Sequence, residues 1–64
     1  MPIYTFFLLD PNGATTGGAE AECRDDDAAR RFADGLIKGE GQVEVWRGDD
    51  RVGWVFPRPY PNRI

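Results

Sequence analysis

The sequence has no histidine, a single cysteine and no apolar run long enough to cross a bilayer. Each absence removes a class of chemistry. Without histidine there is no Cys–His or Ser–His pair in which a base activates a nucleophile. One thiol cannot form an internal disulfide, and with no histidine beside it there is no Cys/His zinc site. No cofactor is therefore expected. An excess of positive charge is missing too: eleven acidic residues face eight basic ones, for a net charge of −3. That disfavours nucleic acid and anionic membrane surfaces as partners, since both recruit proteins through basic patches. Residues 3–9 are apolar but too short for a membrane span, and no basic stretch precedes them as in a secretory signal. A cytoplasmic location is the expectation, and the unpaired thiol of Cys23 fits it.

At 64 residues the chain is one small domain. Such domains bury only roughly 60% of the surface their unfolded chains expose, so most lean on a disulfide, a metal or a second copy. With the first two removed, oligomerisation is left.

What is present begins with Ile3-Tyr4-Thr5-Phe6-Phe7-Leu8-Leu9, a strand that is apolar on both faces. Alternation puts Tyr4, Phe6 and Leu8 on one side and Ile3, Phe7 and Leu9 on the other. Asp10-Pro11-Asn12-Gly13 is a turn, and Thr15-Thr16-Gly17-Gly18 reads as a loose polar continuation. Ala19 to Cys23 forms a weak edge strand with a small apolar face. Asp25 is the N-cap of a helix, with Asp26 and Asp27 in its first turn, where carboxylates meet the positive end of the helix dipole. Ala28, Ala29, Phe32, Ala33, Leu36 and Ile37 make one apolar stripe, Gly35 lies inside the helix, and Gly39 follows Lys38 as a left-handed C-terminal glycine. Gly35 lowers helix propensity and would let the helix approach the sheet closely. Two more strands follow, residues 42–47 and 51–56, joined by a hairpin turn at Gly48-Asp49-Asp50. Alternation assigns Val43, Val45, Val52, Trp54 and Phe56 to the helix-facing side. Pro57-Arg58-Pro59-Tyr60-Pro61 ends the last strand.

The resulting architecture is α+β, ββαββ: a mainly antiparallel four-stranded sheet with one helix on one face, spanning residues 1–57, and a Pro-rich tail over 58–64. Strand orders 2-1-3-4 and 2-1-4-3 both satisfy the connections. The opening Met1-Pro2-Ile3-Tyr4-Thr5-Phe6, the strand running to Asp10 and a Gly-containing turn, Asp27-Ala28-Ala29-Arg30 at a helix start and the hairpin from Val43 to Phe56 resemble a group of short uncharacterised bacterial proteins that open Met-Pro-x-Tyr-x-Phe. The group often carries a longer acidic stretch after the aspartate. The resemblance implies this fold and no activity.

Each candidate site has a competing structural reading. Asp25-Asp26-Asp27 offers oxygens to a hard cation, but the three point in different directions, and capping accounts for them. Cys23 near a helix start has the position of a reactive thiol, yet lacks a base and fits better as a small packing residue. The tail has prolines at alternate positions, without the spacing of a proline-domain ligand. Glu44, Asp49 and Asp50 have no base, nucleophile or oxyanion donor beside them, so no catalytic group is assigned and the protein is not read as an enzyme. What stands out is the uncovered sheet face, where Ile3, Phe7, Leu9, Trp46 and Val55 would form an apolar patch too large to leave wet. The expected function is a non-enzymatic interaction or accessory protein that forms a homodimer, or meets another protein, through that face. The alternative is a single-stranded nucleic-acid module stacking bases on the same aromatics, disfavoured by the net charge and by Glu44 beside Trp46.

Overall fold

The computed structural model describes residues 1–37 and 39–57. Five elements follow in order: β1 (Ile3–Leu9), β2 (Thr15–Glu22), α1 (Asp26–Asp34), β3 (Gln42–Arg47) and β4 (Asp50–Val55). The strands form one antiparallel sheet in the order β2-β1-β3-β4, and α1 packs on one face against β3 and β4. This is the ββαββ architecture the sequence implies, and it resolves the strand order in favour of 2-1-3-4. The strand richest in large apolar residues has a partner on each side. Residues 58–64, including most of the proline-rich segment, and Lys38 lie outside the described residues.

The core lies between sheet and helix. Tyr4, Phe6, Val43 and Val45 are fully or almost fully buried, together with Ala29, Ala33 and Cys23. Burying each of the larger apolar side chains contributes about 1.5–3 kcal/mol. Phe32 lays its ring 4.9 Å from that of Phe6 but stays 43% exposed. The helix is seated on its two alanines. Cys23 fills a core position just beyond β2, where its N–H donates to the Pro2 carbonyl at 3.1 Å.

Asp25 caps α1 as expected: its backbone is extended, and its carboxylate accepts the Ala28 N–H at 2.8 Å. The far end differs from the expectation. α1 stops at Asp34, with Gly35 as its cap, and Leu36 and Ile37 continue as tight turns whose N–H groups donate to Ala33 and Asp34 carbonyls. Glycine is a poor helix former, and tighter i→i+3 bonds commonly close a last turn; here Leu36 and Ile37 still pack against the core. Gly39 has the expected positive φ of 59° but shapes the following loop instead of capping the helix. A Cβ at Gly35 would meet only the Phe32 carbonyl of its own helix, at 3.4 Å, so Gly35 permits no close approach to the sheet. That role falls to Gly53, where a Cβ would lie 2.8 Å from Cγ of Arg30. The stem of Arg30 crosses the strand there, and its guanidinium donates to the Val52 carbonyl at 3.3 Å.

β2 begins at Thr15, earlier than expected. Its Thr-Thr-Gly-Gly segment lacks an alternating pattern, yet it pairs with Phe7, Leu8 and Leu9 of β1, with an irregularity at Thr16. The apolar end of β1 needs ladder partners, and glycines offer backbone without side-chain conflict. The turn between them is built by Asp10, whose carboxylate accepts the N–H groups of Asn12 and Ala14, both at 2.9 Å, while Gly13 takes φ 92°.

The largest correction concerns β4. Trp46 lies opposite Arg51 and Val45 opposite Gly53, so Val52 is an extra residue, a β-bulge. The bulge resets the alternation beyond it. Val55 pairs with Val43 and packs against the core on the helix side, not on the open face. Trp54, opposite Glu44, turns to the open face with Phe56; they are 42% and 54% exposed.

Candidate functional site

The open face is read row by row from the registers. Glu20, Thr5, Trp46 and Arg51 lie across the sheet in one row, and Gly18, Phe7, Glu44 and Trp54 in the next. Of the residues expected to line it, Ile3 is 57% exposed, Phe7 38% exposed and Trp46 half-buried. Leu9 keeps only 6% exposure and lines a small cavity of about 100 Å³ with Leu36 and Ile37, so it offers little to a partner; Val55 is on the other face. Trp54, Phe56 and Arg51 join the face instead. Gly53 inside a strand is the one sequence sign of the bulge that brings them there.

These side chains are tied to one another. The Trp46 indole N–H donates to Glu44 Oε1 at 3.0 Å, and Arg51 donates to Glu44 Oε2 at 3.3 Å. The Trp54 indole N–H donates to Gln42 Oε1 at 3.0 Å. The Arg51 guanidinium sits 4.4 Å from the Trp54 ring centroid, and Trp54 stacks on Phe56 with centroids 5.4 Å apart. Phe7 meets Trp46 edge-on, 6.4 Å between centroids at 81°. Both indole N–H groups and both Glu44 oxygens are thus satisfied within the chain, and the ring surfaces are left to make contacts. Beside Phe7 and Trp46 lies a depression of about 340 Å³, also lined by Thr5, Gly48 and Asp49. Gly48 takes φ 61°, as the first central residue of a II′ hairpin turn requires.

A second polar cluster ties the helix start to the sheet on the opposite face. The Tyr4 hydroxyl donates to Asp26 Oδ1 at 2.7 Å, and Arg47 donates to the same oxygen at 3.1 Å. Asp27 pairs with Arg30. The three consecutive aspartates are thus divided among a cap, a phenol–arginine junction and a surface pair, and among the described residues no group of three His, Cys, Asp or Glu is arranged to hold a metal ion. The Asp26 carboxylate, then burial, push the Tyr4 phenol above its ordinary value of 10.0; Arg47 opposes them. The Tyr4 hydroxyl and Asp26 in turn hold Arg47 more firmly protonated.

A consequence follows for alkaline solution. With its folded pKa raised, Tyr4 keeps its proton in the native state after the unfolded chain has begun to lose it, so stability falls as pH rises through 10.0 toward the folded value. Tyr4→Phe removes that proton and its pH dependence. Urea midpoints measured from pH 8 to pH 11 should decline more steeply for the wild type than for the variant; parallel declines would show that the junction does not form. The tail tyrosine is common to both proteins and cancels in the comparison.

Comparison with family models, with characterised proteins and with solved structures finds no significant match to this chain. Among the described residues no helix is long and apolar enough to cross a membrane.

Proposed function

We propose that the domain is a non-enzymatic, cytoplasmic interaction protein that self-associates through its open sheet face. The observation that carries this reading is the tied aromatic surface formed by Phe7, Trp46, Trp54 and Phe56, whose indole N–H groups already have acceptors. Aromatic anchors dominate protein contacts, and side chains already held in place lose less freedom on binding. Glu44 at the centre of the face argues against a base-stacking role, because a nucleic-acid surface is built around cations.

Light scattering across a concentration series tests it. The expected particle at high micromolar concentration has twice the 7.2 kDa chain mass. Because each copy carries a net charge of −3, added salt should strengthen association by screening repulsion, whereas salt would weaken binding to an oligonucleotide. Trp46→Glu and Phe7→Lys should each give a folded monomer; Lys at position 7 lies opposite Glu44 and is tolerated by the sheet. A wild-type monomer throughout, or a dimer that survives both substitutions, would falsify the proposal.

A further inference from the structure

The geometry points to a second property of the open face: the corner formed by Phe7, Trp46 and Asp49 is a binding site for an alkylated ammonium group. Two ring planes meet there at 81°, in a depression of about 340 Å³ that the Gly48-Asp49 turn also lines. Ring faces carry negative potential and attract cations, and clustered aromatic walls are used to recognise quaternary ammonium ligands. The Trp46 ring is fixed by its N–H bond to Glu44, and donation to a carboxylate polarises the indole toward a more negative face.

Charge favours the same ligand. Asp49 makes no hydrogen bond or ion pair among the described residues, and no basic side chain lines the corner. Among the described residues, the two arginines that flank the hairpin turn are engaged elsewhere: Arg47 with Asp26 on the opposite face, Arg51 with Glu44 and the Trp54 ring. Trp54 therefore shows an indole of this face already holding a cation, and Trp46 is the indole left open.

The choice of alkylated ammonium over lysine or arginine comes from donor counting. A primary ammonium brings three N–H donors and a guanidinium five, all needing acceptors once water is displaced. This corner supplies one carboxylate and the Thr5 hydroxyl. A trimethylammonium group has no N–H to satisfy and needs only charge and apolar contact.

The site shares Phe7 and Trp46 with the self-association surface, so ligand and dimer should compete. The test is a nuclear magnetic resonance titration of the whole chain, dilute enough to be monomeric, with choline and with its neutral isostere 3,3-dimethylbutan-1-ol. Choline should shift the Trp46 indole N–H and the Asp49 amide saturably, and the isostere should bind roughly tenfold more weakly. Asp49→Asn should weaken choline binding several-fold, while Glu40→Gln, an equal loss of charge outside the corner, should not. Equal binding of both compounds, or no saturable shift, would overturn the assignment. Since the two ligands are compared on the wild type, the result does not depend on any variant folding.

Discussion

Phe6→Ala is expected to remove a large part of the domain's stability, with a steep fall in the melting and urea midpoints or loss of the cooperative transition altogether. Phe6 is fully buried on the central strand, contacts the ring of Phe32 and lies opposite Val45, itself fully buried. Removing such a ring costs about 3–5 kcal/mol, through lost burial and the cavity left behind. Typical stability is about 0.05–0.15 kcal/mol per residue, so 64 residues have roughly 3–10 kcal/mol in all. The substitution removes a large part of that, with no disulfide to make up the loss. Circular dichroism during thermal and urea unfolding is the measurement. Phe6→Leu, which keeps most of the volume, should retain a transition. An alanine variant as stable as the wild type would mean the helix does not cover this part of the sheet.

The second large effect is expected from adding atoms. Ala33 is fully buried at the contact of α1 with the sheet, and together with Ala29 it sets how close the helix sits. Ala33→Leu forces extra methylenes into that contact and should cost about 1–3 kcal/mol. Leucine is nearly as good a helix former as alanine, so the loss reports packing and not propensity. The urea midpoint should fall while the slope stays constant. An unchanged midpoint would show that α1 has room to shift outward without loss.

The parts of this structure that local chemistry determines are readable from the residues. β1 is evident from its β-branched and aromatic content and the turn at Asp10, and the start of α1 from Asp25 and the acids behind it. The parts that distant residues determine are not. Thr15 to Gly18 become strand because β1 needs partners, something no pattern within those four residues displays. α1 ends early because Gly35 weakens it while the core holds Leu36 and Ile37 in a turn. The open face was half legible: Ile3, Phe7 and Trp46 follow from simple alternation, whereas Trp54, Phe56 and Val55 sit on the sides opposite to those alternation gives them. Tyr4, Asp26 and Arg47 lie far apart along the chain, and only the fold brings them to one oxygen.

The extra residue at Val52 has an evolutionary side. The outer half of β4 takes its phase from the pairs Glu44–Trp54 and Val43–Val55, not from the hairpin turn. A hairpin one residue shorter, lacking Val52, would still direct Trp54 and Phe56 outward and Val55 inward. The aromatic surface is thereby buffered against loss of a codon in the hairpin.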